Sequence, residues 1–472
     1  MEASTNTLCS PQGGDLLRRP ELRHRVAYQA HITQPGRPPQ HQQVHVGLVC
    51  GQLLRHMDSK LRIAIDCRIG DPRQGVGTAV LALAKALSDS QIADQEYIFV
   101  VREDMQVWLA PYIHGPCRLV GIPASSLSRL KNALRWVAPL RLLWGKLRGA
   151  MAQVPFSDGY VEAQGYDVVH FPTQMAYLTE LPSIYQPWDL QHLHYPQFFT
   201  KAEFALRERY YRAFCDRATC VCVQAEWTKQ DIIQQFGVAP EKVAVIPWAS
   251  VFDAYNPPSD EIVLATIRKY GLPRQFFFYP AVTWPHKNHE VILRALHLLK
   301  AEHGSAPHIY FTGTSTERRE ALDKQATELG VSEQTHFLGF LSPEELQAVY
   351  GAATAMIFAS KFEGFGLPIL EAFHARLPVL SSNATTLPEV ARDGALYFDP
   401  DSPTELAALM TKIMVDQQVR QDMIEKGLLV LSQYSIRDTV ASFQALYRKT
   451  ADLSSQSTHL SPARTEIGQG IL

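Results

Sequence analysis

Short apolar strands alternate with amphipathic helices along this chain, and the alternation runs twice. In the first run, strands are expected at Leu61–Asp66, Tyr97–Val101, Asp167–His170, Thr219–Gln224 and Lys242–Ile246, with helical spacing over Thr78–Ser88 and Thr228–Phe236. The second run opens with strand Phe276–Tyr279, helix Glu290–Lys300, strand His308–Phe311 and helix Glu317–Leu329. Strand His336–Leu338, helix Pro343–Ala352, strand Ala355–Ala359 and helix Pro368–Ala375 follow, with late strands at Val379–Ser381 and Ala395–Phe398. Strands that alternate with helices predict an α/β fold of parallel, doubly wound sheets. Asn256-Pro257-Pro258-Ser259 separates the two runs and marks a domain boundary. The length of 472 residues suits two domains of about 200 residues each. Ligands of such sheets sit off the carboxyl ends of the strands, so two facing sheets enclose a cleft.

Composition narrows the class further. A net charge of −2 gives no reason to expect nucleic acid, which needs a basic footprint. The seven cysteines are scattered without a CxxC pair and read as buried thiols of a reducing compartment. No secretory signal is evident, and no apolar run reaches the roughly 18 residues of a spanning helix. The expected location is the cytoplasm, with at most attachment to the inner face of a membrane. Residues 1–56 are rich in Gln, His, Pro and Arg and read as disordered, or as an extension ahead of a start at Met57.

Between Met105 and Ser157 there is no Asp or Glu, while Arg118, Arg129, Lys131, Arg135, Arg141, Lys146 and Arg148 are interleaved with Leu134, Trp136, Val137, Leu140 and Trp144. The part at 129–148 reads either as a core-facing helix with a solvated basic edge or as a peripheral membrane contact.

Three loops between a strand and a helix carry candidate chemistry. Ser360-Lys-Phe-Glu363-Gly-Phe-Gly-Leu-Pro-Ile-Leu-Glu371 follows one strand and opens a helix near Pro368. Gly364 and Gly366 permit close approach by a ligand, and amides at the helix start point at anionic oxygens. Glu363 and Glu371 are placed to accept hydrogen bonds from one polyhydroxylated ligand. Read alone, this is equally a tight connector with a solvated glutamate. In Tyr279-Pro-Ala-Val-Thr-Trp-Pro-His286-Lys287-Asn288-His289, Lys287 would reach a phosphate as a point charge, or is a surface lysine. Gly75-Val76-Gly77-Thr78 is the third loop, and a plain tight turn explains it as well. His170 ends a strand and so faces the expected cleft. His192 and His194 could be metal ligands, but no cysteine or carboxylate pattern completes such a site, and no metal is expected.

The spacing of Glu363 and Glu371, set within Ser360-Lys-Phe-Glu-Gly-Phe-Gly-Leu-Pro-Ile-Leu-Glu-Ala, resembles the EX7E signature of family 4 glycosyltransferases, also called group 1. The resemblance covers roughly residues 61 to 450 and is densest from Phe276 to Pro400. It implies the GT-B fold of two facing Rossmann-like domains, retention of anomeric configuration, and no divalent metal. The implied divisions are 1–60, disordered or spurious; 61–255, the acceptor domain; 256–433, the nucleotide-sugar domain; 434–450, a helix crossing back; and 451–472, a loose tail.

By this resemblance, Glu363 contacts the donor hexose, Gly364, Phe365, Gly366 and Leu367 lie beside sugar and diphosphate, and Glu371 bonds the ribose. Lys287 offsets charge on the leaving diphosphate, Gly75 and Gly77 face the donor phosphates, and His170 lies near the sugar. Two positions depart from the pattern. Val282 stands where many members carry an arginine, with His286 or Arg274 as possible substitutes, and Trp188 stands where members often have histidine. The blocks Trp284-Pro-His-Lys-Asn-His289 and Asp189-Leu-Gln-His-Leu-His194 resemble bacterial mannosyltransferases of O-antigen and exopolysaccharide synthesis, which makes GDP-mannose the first expectation for the donor and a glycan or lipid-linked hydroxyl the acceptor. The rival readings are a UDP-hexose donor, a phosphorylase-like or epimerase activity on the same fold, and a non-catalytic member that binds a sugar nucleotide or a protein.

Overall fold

A computed structural model of the chain describes residues 60–68, 75–122, 153–313 and 318–459. The stretch before Lys60 with the start at Met57, the basic segment 129–148 and the tail beyond His459 lie outside the described residues.

Two parallel sheets form. The first contains β1 (Leu61–Asp66), β2 (Gln95–Arg102), β3 (Cys117–Ile122), β4 (Val168–Phe171), β5 (Ser183–Tyr185), β6 (Cys220–Val223) and β7 (Val243–Val245), in the order β3-β2-β1-β4-β5-β6-β7. The second contains β8 (Phe276–Tyr279), β9 (His308–Phe311), β10 (Thr335–Phe337), β11 (Ala355–Phe358), β12 (Val379–Ser382) and β13 (Ala395–Phe398), in the order β10-β9-β8-β11-β12-β13. Each of these pairings is parallel. The central strands are buried from end to end, as in Phe276-Phe-Phe-Tyr279 and Ala355-Met-Ile-Phe358. Helices therefore cover both faces, which is why these strands are continuous apolar runs and do not alternate.

The order of each sheet reverses once, between β1 and β4 and between β8 and β11. Such a switch point leaves a crevice at the carboxyl ends, because the chains leave the two neighbouring strands toward opposite faces. Lys287 follows β8 and Glu363 follows β11, so both stand at the crevice of the second sheet.

The last helix, Ile436–His459, ties the second lobe to the first. Phe443 and Tyr447 are fully buried, Gln95 Nε2 donates to the Gln444 carbonyl at 3.1 Å, and Thr439 Oγ1 donates to the Pro247 carbonyl at 2.8 Å. The helix runs on past residue 451, where the sequence suggests a loose tail. Among the described residues, no helix is long and apolar enough to cross a membrane.

Two strands and the helices Lys201–Arg217, Asp260–Tyr270, Pro403–Val415 and Gln417–Leu431 are not among the elements expected from the sequence. β3 is only partly buried and β5 has three residues, so neither gives a strong apolar run. Helix Lys201–Arg217 buries only Tyr211, Phe214 and Cys215 among many charges. Its capping box is nevertheless explicit: Thr200 Oγ1 accepts from Glu203 N, and the Glu203 carboxylate accepts from Thr200 N.

Candidate active site

The site is assembled by two loops of the second lobe that are stitched together. Lys287 Nζ lies 2.6 Å from Glu363 Oε1, with both side chains largely buried. Their backbones are pinned independently of this ion pair. Tyr279 Oη donates to the Lys287 carbonyl at 2.8 Å, and Lys361 N donates to the His286 carbonyl at 2.7 Å. Asn288 adopts a left-handed φ of 55° and donates through Nδ2 to the carbonyls of Ala359 and Pro400, at 3.2 and 2.7 Å. Left-handed backbone is tolerated by asparagine better than by most residues. On the far side, Thr385 Oγ1 accepts from Glu363 N and donates to its carbonyl, at 3.1 and 3.0 Å, and Thr386 Oγ1 also donates to that carbonyl. The lysine and the carboxylate are thus presented from one rigid unit.

The helix Leu367–His374 opens directly after this loop, with Pro368 in its first turn and no side-chain cap. Pro368 has no N–H and Ile369 N donates to the Gly366 carbonyl at 3.0 Å, so the uncapped start offers the Leu367 amide to an anion. Gly366 takes φ 110°, which only glycine adopts readily, and Phe365 and Leu367 turn their side chains inward. Glu371 lies one turn in. It is buried, its Oε2 accepts from Tyr350 Oη at 2.6 Å, and burial lifts its carboxyl to about 7 against the opposing effect of that hydrogen bond.

The first lobe closes on this loop. A Cβ built on Gly364 would fall 2.1 Å from the Trp188 carbonyl oxygen, so the two backbones touch. Trp188 has a φ of 68°, donates through Nε1 to the Pro172 carbonyl at 2.8 Å, and stacks on Trp248. Thr228 Oγ1 donates to the Gly364 carbonyl at 3.1 Å. Phe362 inserts among His194, Tyr195 and Trp227. The Glu389 carboxylate, from the second lobe, accepts from the Glu226 and Trp227 amides at 2.7 and 2.9 Å. Those amides begin the first-lobe helix Glu226–Phe236, so a carboxylate of one lobe caps a helix of the other.

Several expectations need correction. His170 does not face the cleft. It is fully buried under the last helix, its ring nitrogens engage Tyr447 Oη and Gln186 Oε1 at 2.9 Å each, and burial lowers it to about 4. Strand ends lie near a crevice, but alternate side chains point to opposite faces, and this one points into the sheet–helix layer. Gly75 and Gly77 are not in a loop: the helix starts at Gly75, and a Cβ there would meet nothing within 4 Å. His286 cannot stand in as a cation, because burial first, and then Lys287, push it far below the usual histidine range. Arg274 precedes β8 and so lies at the amino end of the strand, away from the crevice.

His192 and His194 turn to different surroundings. His192 is enclosed by Phe199, Phe204 and Tyr211, and burial lowers it to about 4. His194 Nε2 bonds Asp231 Oδ1 at 2.8 Å. No three His, Cys, Asp or Glu side chains of the described residues are gathered as a metal set. Asp189 is half-buried, and desolvation raises its carboxyl against the hydrogen bond it accepts from Gln191 N at 3.0 Å. Tyr350, Asn288, Thr385 and Glu389 escape sequence reasoning, because each acts through a partner distant in the chain.

Two family descriptions match the sequence: "Glycosyl transferases group 1" over residues 266–429 and "Glycosyl transferase 4-like domain" over residues 74–249. The O-antigen chain mannosyltransferase B of Escherichia coli is 29% identical over 242 residues, covering 51% of this chain and 63% of that protein. The D-inositol 3-phosphate glycosyltransferase of Corynebacterium jeikeium is 28% identical over 244 residues, covering 50% and 58%. The matched part thus spans less than two thirds of these relatives. Among solved structures, Anabaena HepE in complex with UDP and glucose superposes with a TM-score of 0.59 at 20% identity, covering 84% of this chain and 100% of that one. WaaG, a glycosyltransferase of lipopolysaccharide biosynthesis, gives 0.57 at 17%, covering 83% and 99%. The paired doubly wound sheets are the GT-B fold.

Proposed function

Because the chain belongs to the group 1 glycosyltransferases, we propose that its cleft moves a hexose, mannose from GDP-mannose in the first instance, to a hydroxyl acceptor with retention of configuration. The observation that carries this reading is the Lys287–Glu363 unit, held by both loops at the switch point and covered by the first lobe.

In the reaction, the bond between sugar C1 and the diphosphate oxygen breaks while the acceptor oxygen bonds to C1 on the same face. The acceptor proton passes to the leaving phosphate oxygen. Lys287 and the uncapped amide of Leu367 meet the negative charge where it develops, and preorganised donors of this kind dominate many rate enhancements. Glu363 accepts from sugar hydroxyls, and its pairing with Lys287 keeps both groups in place before the donor arrives. Glu371 accepts from the ribose, with Tyr350 fixing the rotamer. No carboxylate is assigned as a covalent nucleophile, and no metal is assigned a role. Contact between Gly364 and Trp188 excludes water from the reacting centre. His170 has a structural part only, joining the last helix to β4.

The mannose assignment draws on the mannosyltransferase relatives. A UDP-hexose donor is the second reading, favoured by the solved HepE complexes with UDP and UDP-glucose. A glycan or lipid-linked acceptor completes the proposal, and 129–148 would then touch anionic lipid; flotation with anionic vesicles at low salt reads this, and absence of binding removes that part. Purified protein assayed against a panel of nucleotide sugars tests the reading. Preferential turnover of GDP-mannose supports it, preferential turnover of a UDP-hexose selects the second reading, and no turnover of any donor with any hydroxyl acceptor leaves only a non-catalytic member.

A further inference from the structure

The first sheet has its own switch point, between β1 and β4, and the loops that leave these two strands meet there. Asp66 ends β1, and Arg68 follows it in the loop. The Asp66 carboxylate accepts from Arg68 Nε at 2.9 and 3.0 Å and from Nη2 at 2.5 Å. From the other loop, the Tyr177 ring lies under the guanidinium at 5.1 Å and is itself held edge-on by Phe171 at 4.7 Å. One edge of the fork is therefore fixed and one face is covered. Nη1 has no partner among the described residues, and the side chain stays 28% exposed. Lys287 and Glu363 occupy the same topological place in the second sheet, after β8 and β11.

The loop after β4 is built firmly and touches the lobe junction. Thr173 Oγ1 donates to the Met175 carbonyl at 3.1 Å, and Tyr185 Oη donates to the Gln174 carbonyl at 3.0 Å. The Pro172 carbonyl accepts from Trp188 Nε1 at 2.8 Å, and the Trp188 carbonyl abuts Gly364, next to Glu363. Met175 is left exposed, as is Phe156, which pairs with Leu178 of the same loop. A fixed planar donor beside apolar side chains suits a ring that carries both hydroxyls and C–H faces. Charge decides against an anion. Asp66 already matches the one positive charge of Arg68, and Asp158 adds a negative charge nearby. Neutral hydroxyl oxygens can accept from Nη1 without meeting that repulsion.

We propose that Arg68, aimed by Asp66 and backed by Tyr177, binds a neutral saccharide on the first lobe beside Met175, as the hydroxyl-bearing end of the acceptor. This rests on the reading that the cleft transfers a hexose to a hydroxyl. It narrows the acceptor to an uncharged sugar at the position that receives the hexose.

Full-length wild type, Arg68→Met and Arg68→Lys are titrated by saturation-transfer-difference NMR. The probes are the methyl glycosides of mannose, glucose, galactose and N-acetylglucosamine, with mannose 6-phosphate and glucose 6-phosphate as charged counterparts. Arg68→Met keeps an apolar stem over Tyr177 but loses every donor. Wild type should bind at least one neutral glycoside more tightly than the phosphorylated sugars. Arg68→Met should weaken that binding about tenfold or more, and Arg68→Lys should recover part of it. Wild type that binds no neutral glycoside, or that prefers the phosphorylated sugars, overturns the proposal, as does equal binding by wild type and Arg68→Met. Release of nucleoside diphosphate by wild type from a panel of nucleotide sugars is measured alongside. Arg68-dependent glycoside binding without any such release leaves the subsite standing and removes the transfer reading. Should Arg68→Met fail to fold by circular dichroism, the same titrations on Arg68→Lys decide, with a smaller weakening expected and unchanged binding overturning it.

Discussion

Gly364→Ala separates closure of the lobes from stability of the fold. The added Cβ would sit 2.1 Å from the Trp188 carbonyl oxygen, 2.9 Å from its carbonyl carbon and 3.2 Å from Asp189 Cβ. The first two are backbone atoms and cannot rotate away. The lobes must part by roughly 1 Å to restore ordinary contact. Overpacking of this kind costs about 1–3 kcal/mol. Here the cost falls on closure, because Gly364 meets the other lobe and its own φ is not in the left-handed region. Turnover should therefore drop by about tenfold to a hundredfold, at about 1.4 kcal/mol per decade, with little change in melting temperature. Gly366→Ala is the control. Its φ of 110° and a Cβ 2.8 Å from Leu387 Cδ2, within the same lobe, make it a folding lesion, expected to lower the melting temperature by several degrees. Steady-state kinetics, differential scanning calorimetry and small-angle scattering on both variants read the contrast. A Gly364→Ala protein with wild-type turnover would show that the Gly364–Trp188 contact is not needed for closure.

Lys287→Ala should lower turnover about a hundredfold, whereas Glu371→Ala should chiefly raise donor KM, since the ribose does not change during reaction; steady-state kinetics on folded variants checks the split. Glu371 carries a carboxyl raised to about 7, so its protonated form is favoured by the fold: its contribution to stability is full below the unfolded value and is lost as pH rises through about 7. Glu371→Gln should accordingly raise the melting temperature at pH 8, by up to about 2–3 kcal/mol of stability, and change it little near pH 4, as calorimetry at the two pH values would show. Glu389→Ala removes two inter-lobe hydrogen bonds at the start of helix Glu226–Phe236 and should shift turnover and KM together by up to about tenfold, with a larger radius of gyration in scattering.

The fold class was legible because parallel strands buried on both faces leave runs such as Phe276-Phe-Phe-Tyr279, each followed by a helix of different period. Where burial is partial the signal thins: β5 has only Ser183–Tyr185, and helix Lys201–Arg217 shows many charges and few buried residues. Lys287 and Glu363 could be singled out because each stands in a loop after a strand and before a helix, where the chain must turn toward a crevice. The groups that fix them could not. Glu389 and Glu226 are 163 positions apart, and Tyr350 reaches Glu371 from another helix, so no local pattern links them. His170 shows the limit differently: its place at a strand end was readable, but which side of the strand the last helix covers was not.

In the proposed reaction the Lys287–Glu363 unit stabilises charge on a departing nucleoside diphosphate. The most direct measurement is release of nucleoside diphosphate from a panel of nucleotide sugars, with hydroxyl acceptors present, by wild type and by folded Lys287→Ala. Release by wild type is expected, fastest from GDP-mannose, and about a hundredfold slower release by the variant. Release at the same rate by both proteins, or by neither, would contradict it.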